Sequence, residues 1–116
     1  MERAHSDRAA VAAGEARTVS CFLRADFDGY PRRSRQGLLW LQRPAATWRP
    51  FWSVRRRGLQ LPNDATVMDV REPDPAEWNV KSDLFRVIIA RTPGGVLEMA
   101  VPTVDVPLVK AFLAGS

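Results

Sequence analysis

Along much of this chain apolar and polar residues alternate with a period of two, the spacing of a strand that buries one face. Over residues 17–25, Val19, Cys21 and Leu23 share one parity, and Asp26-Phe27-Asp28-Gly29-Tyr30-Pro31 then ends the run with turn formers. A second strand is predicted at 37–42, where the unbroken run Leu38-Leu39-Trp40-Leu41 points to burial on both faces. A third, at 47–54, sets Trp48, Trp52 and Val54 against Arg49, Ser53 and Arg55, and Pro50 marks it as an edge or bulged strand. Arg56-Arg57-Gly58 makes the next turn, 59–61 a short fourth strand and 66–71 a fifth.

The loop at 72–83, rich in proline and aspartate, is long enough to carry a change of sheet. After it Phe85, Val87 and Ile89 alternate with Arg86, Ile88 and Ala90 in a sixth strand. Thr92-Pro93-Gly94-Gly95 turns into a seventh at 96–101, with Leu97, Met99 and Val101 inward and Glu98 outward. The period then changes. Val104, Leu108, Ala111 and Phe112 recur at helical spacing, with Asp105 as N-cap, Pro107 in the first turn and Gly115 at the exit.

Residues 1–16 are polar and alanine-rich without a sustained period and read as a flexible tail, leaving 17–116 as one domain. About seven antiparallel strands closed by one C-terminal α-helix are the order of elements of a pleckstrin-homology-like barrel, a mainly β class. An oligonucleotide-binding barrel, with five strands and a mid-chain helix, fits less well.

Composition narrows the function classes. At 116 residues, 46% hydrophobic and 26% charged, the chain suits one globular core. The apolar stretch from Ala9 to Ala13 stops at Gly14-Glu15, too short for a membrane span or a signal peptide, so a cytoplasmic location without a transmembrane segment is expected. Cys21 is the single cysteine, which rules out an internal disulfide framework, and its parity with Val19 and Leu23 assigns it to the core.

Catalytic groups are scarce. His5 is the single histidine and lies in the tail, so the nucleophile-histidine and multi-histidine metal constellations lack their parts. Gly94-Gly95 is followed by neither the lysine nor the helix of a phosphate loop. Asp26, Asp28 and Gly29 resemble the start of a calcium loop without its remaining ligands and are read as turn formers. No catalytic residue, metal site or cofactor is expected, and an enzyme is the least favoured class.

Charge changes the picture more. The net value is +4, yet residues 24–57 hold nine arginines against Asp26 and Asp28, a local charge of +7, while 58–116 carry −3. In a pleckstrin-homology arrangement Arg24, Arg32, Arg33 and Arg35 flank the first loop, and Arg55, Arg56 and Arg57 lie at the turn between strands three and four. These seven residues are the candidate anion-binding set, since the guanidinium fork bonds phosphate bidentately and keeps its charge. The competing reading is a set of solvated surface arginines that never converge. Trp40, Trp48 and Trp52, at strand positions, are assigned to the core rather than to a base-stacking platform. Trp78, in the long loop, reads as the freest of the four tryptophans.

Four segments, TVSCFLR at 18–24, TWRPFWSV at 47–54, VREP at 70–73 and LEMAVPTVDVPLVKAFL at 97–113, resemble an actinobacterial family known as domain of unknown function 2550. The resemblance implies a pleckstrin-homology-like domain held at the inner face of the cell membrane by an N-terminal helix, and it supplies no catalytic residues. The 1–16 tail, with no long apolar run, is not expected to form such a helix, a departure from that pattern that fits a soluble relative or a truncated or differently started form.

Residues and resemblance together favour a non-enzymatic binding module. Its expected partner is an anionic membrane surface, or a protein at that surface, engaged through the arginine-rich face from a peripheral position on the inner side of the membrane. A nucleic-acid-binding barrel and a pure protein-interaction domain are the alternatives. The first predicts steep salt dependence, the second an exposed apolar patch.

Overall fold

The computed structural model describes residues 15–51, 58–62 and 64–114. Among these residues seven strands form one antiparallel sheet: β1 (Arg17–Ala25), β2 (Arg35–Gln42), β3 (Ala45–Pro50), β4 (Leu59–Gln60), β5 (Thr66–Arg71), β6 (Phe85–Thr92) and β7 (Gly95–Pro102). Their order across the sheet is β4-β3-β2-β1-β7-β6-β5, so the first and last strands are neighbours near its middle. A 3-10 turn, Thr103–Asp105, leads into α1 (Val106–Leu113), the one α-helix among the described residues.

The period-two pattern decides which side is core. Val19, Cys21 and Leu23 of β1, Leu39 and Leu41 of β2, Trp48 of β3, and Leu97, Met99 and Val101 of β7 are buried together, and α1 covers them with Leu108, Val109 and Phe112. Trp48 reaches across β2. Its indole Nε1 donates to the Cys21 carbonyl at 2.9 Å, and Gly37, paired with Cys21 in the β1–β2 ladder, leaves the space it crosses. Burial in this apolar core pushes the Cys21 thiol above its ordinary value, as expected of a core cysteine.

The opposite side of β1, β7 and β6 has a smaller cluster. Trp78, delivered by the loop between β5 and β6, packs with Val87 and Ala100 and against Phe22, Phe85 and Ile89. At 1% exposure it is among the most buried residues, not the freest of the tryptophans. That loop also makes no change of sheet, because β5 and β6 pair directly, with a bulge between Val67 and Asp69.

Three further expectations are corrected. Leu38 and Trp40 are 42% and 49% exposed, because β2 buries one face only, through Gly37, Leu39 and Leu41. In α1, Val109 rather than Val104 completes the buried stripe with Leu108 and Phe112. Asp105 stands at the N-cap position and makes no side-chain capping hydrogen bond, while Pro107 sits in the first turn as expected. The third strand ends at Pro50, beyond the β4 pairing, and its expected continuation through Trp52, Ser53, Val54 and Arg55 lies outside the described residues, as do the 1–14 part of the tail and Gly115. At the far end of α1, Arg43 donates to the carbonyls of Phe112 and Ala111 at 3.2 and 3.5 Å and lies 4.3 Å from the Phe112 ring centroid, which caps the helix exit.

Candidate anion-binding cleft

The loop after β1 is built by short-range hydrogen bonding. Gly29 takes φ +99°, a left-handed conformation that glycine adopts freely, and the chain folds back so that the Ala25 N–H donates to the Pro31 carbonyl at 2.8 Å. Asp26 fixes the loop to the β6–β7 hairpin by accepting the Val96 N–H at 2.8 Å. Arg32 donates to the Asp26 carbonyl and to the Asp28 carboxylate, both at 2.8 Å. The Tyr30 hydroxyl donates to the Gln60 carbonyl at 2.8 Å, which anchors the loop to β4, and burial raises its pKa.

Between this loop, the end of β3 and the start of β4 lies a cleft of about 740 Å³. Arg32, Arg33 and Arg35 line it beside Tyr30, and Trp48 contributes to its wall. Pro50 and Gly58, at the two ends of the β3–β4 connection, line it as well. Arg33 and Arg35 are exposed, and neither forms an ion pair among the described residues. Arg32 pairs with Asp28 in a fully hydrated setting where the attraction is weak.

Of the seven arginines proposed from sequence, three therefore converge. Arg55, Arg56 and Arg57 lie outside the described residues, within the connection whose ends reach the cleft. Arg24 is elsewhere. It occupies the outward parity of β1, 4.4 Å from the Trp78 ring centroid, and pairs with Glu98 at 3.1 Å and Glu77 at 3.3 Å. Arg71 meets the same two glutamates at 3.2 and 3.9 Å, which completes a neutral two-by-two network over the tryptophan. Partial burial works against the Arg24 charge, while hydrogen bonds and Coulomb attraction from Glu98 and Glu77 outweigh it and raise its pKa. Its Nη2 donates to both carboxylates, on a part of the molecule that does not line the cleft.

Sequence reasoning missed a second surface. On the outward side of β2 and β3, Leu38, Trp40, Thr47 and Arg49, with Thr18 of β1, line a groove of about 380 Å³. The signal was present in the alternation itself, since Leu38 and Trp40 are out of phase with the glycine and leucines that face the core.

Chemically, the cleft offers fixed positive charge and hydrogen-bond donors suited to phosphate or carboxylate oxygens. Among the described residues no three of His, Cys, Asp and Glu cluster as a metal site would require, and no helix is long and apolar enough to cross a membrane. The chain matches no protein-family model, no curated protein and no solved structure.

Proposed function

We propose that this chain is a non-enzymatic binding module that associates with an anionic membrane surface, or a protein at that surface, through Arg32, Arg33 and Arg35 together with the triplet Arg55, Arg56 and Arg57. In this reading the sheet and helix form a pleckstrin-homology-like barrel related to the domain of unknown function 2550 family, acting from the cytoplasmic side. The observation that carries it is the meeting of the first loop and both ends of the β3–β4 connection at one cleft lined by three arginines. Each well-placed arginine near an acidic leaflet contributes about 1 kcal/mol, so a handful suffices for peripheral attachment.

A second reading, a protein-interaction domain, is favoured by the exposed Leu38 and Trp40. Sedimentation with vesicles separates the two. Salt-sensitive association with phosphatidylserine vesicles, absent with neutral lipid and abolished by Arg33→Glu/Arg35→Glu/Arg56→Glu, supports the membrane reading. Absence of association at low salt removes it and leaves the protein partner.

A further inference from the structure

On the β1–β7–β6 side the outward face of the sheet is covered by Trp78 and its loop, but the outward face of β2 and β3 is not covered by any described residue. The register aligns its side chains in rows: Thr18, Trp40 and Thr47 across the three strands, then Ser20, Leu38 and Arg49. The Phe51 N–H donates to the Gln36 carbonyl at 3.1 Å, which carries the β2–β3 ladder one step past Pro50 and gives Phe51 the same parity as Arg49 and Thr47. Trp40, Leu38 and Phe51 are 49%, 42% and 43% exposed and account for three of the six large exposed hydrophobics among the described residues. A concentration of that kind on one face calls for an occupant.

Charge selects it. Residues 29–63, which include β2, β3 and β4, contain eight arginines and not one aspartate or glutamate. A second copy would bring the same positive field against itself, which disfavours a homodimer through this face. A small soluble anion has no use for a leucine or a phenylalanine. An anionic bilayer offers both parts of the match, since headgroups take the guanidinium charges and the interfacial zone takes tryptophan, phenylalanine and leucine. Phe51 stands beside Gln36, next to Arg35 of the cleft, so the apolar stripe and the cationic loop meet at one corner.

We infer that the outward face of β2 and β3 is a membrane-inserting surface, in which Trp40, Leu38 and Phe51 enter the interface of an anionic bilayer while Arg49 and the cleft arginines hold its headgroups. The inference rests on the membrane reading proposed above and deepens it, because it adds an apolar component that salt does not screen.

The test uses the full chain with vesicles of phosphatidylserine and phosphatidylcholine. Leu38→Ser/Trp40→Ser replaces exposed side chains, and circular dichroism melting verifies its fold. The expected result is a partition about tenfold weaker than wild type in moderate salt, the loss of roughly one buried large side chain. Lipids brominated in the acyl chains quench wild-type fluorescence more than that of Trp40→Phe if Trp40 enters the bilayer. Equal quenching and unchanged partition, with Arg33→Glu/Arg35→Glu still abolishing association, overturn the insertion and leave the electrostatic reading standing. Failure of the wild-type chain to bind acidic vesicles overturns both, as does capture of the stripe by an acidic protein without lipid binding.

Discussion

The Trp48 indole donates to the Cys21 carbonyl from two strands away, and the strand between them is crossed at Gly37. A Cβ at Gly37 would stand 2.7 Å from Cε2 of that indole, closer than any real contact allows. Gly37→Ala is therefore expected to destabilise the fold by about 1–3 kcal/mol, the range for overpacking a tight core. Trp48→Phe removes the donor and leaves the carbonyl unsatisfied at a similar cost, about 1–3 kcal/mol. Urea denaturation of both variants checks the pair.

The separation of Arg24 from the cleft gives a sharper contrast. Arg24→Ala uncovers Trp78 and breaks the contacts to Glu98 and Glu77, at a cost of about 1 kcal/mol for a partly exposed network. Its association with acidic vesicles should equal that of wild type. A drop as steep as that produced by the Arg33 and Arg35 substitutions would show that the two faces act together.

Asp26 holds the arginine loop to the β6–β7 hairpin through the Val96 amide. Asp26→Ala should lower stability by about 1 kcal/mol and accelerate hydrogen exchange at Val96, whereas Asp26→Asn keeps an acceptor oxygen and most of the protection. In the same hairpin Gly95, at φ +147°, sits against the Phe27 ring, so Gly95→Ala should be more damaging than Asp26→Asn in thermal melts.

Burial raises the Cys21 pKa, so the unfolded chain loses its thiol proton at a lower pH than the folded one. The sign follows: stability from this group is complete below its ordinary value of 9.0 and declines as pH rises above it. Tyr30, raised from 10.0, adds a decline of the same sign at higher pH. Melting temperatures between pH 8 and about pH 10 should fall more for wild type than for Cys21→Ala, and thiol reagents should label Cys21 only as the chain unfolds.

Much of the strand pattern was legible because the relevant information is local. β1 and β5 have the bounds their alternation predicts, and the Thr92-Pro93-Gly94-Gly95 turn announces the β6–β7 hairpin. Trp48 is in the core as its parity predicts, whereas Trp40 and Trp78 depart from expectation for a non-local reason. Whether Trp40 or Trp78 is buried depends on which half of the outward face the β5–β6 loop covers, and no spacing within either segment records that choice. The cleft was partly legible for the converse reason: Arg32 and Arg33 lie in one loop and Arg35 begins the strand that follows it, whereas Arg24 lies only one residue before the end of β1 but on the outward face. A shift of one residue along a strand reverses the face, which is why a charge cluster in sequence need not be one in space.

The placement of β1 beside β7 also bears on how the chain reaches its native state. Phe22 pairs with Ala100 and Leu23 with Met99, so the middle of the sheet is joined by residues from opposite ends of the described chain. During synthesis the β1–β2–β3 meander emerges with the outer flank of β1 unpaired, and β7, which closes that flank, follows only after β4, β5 and β6. The large loop to be closed before these contacts form places folding at the slow end for a domain of this size. Through that interval the apolar face of β1 waits for β7 and α1, which is the period in which the chain is most open to aggregation.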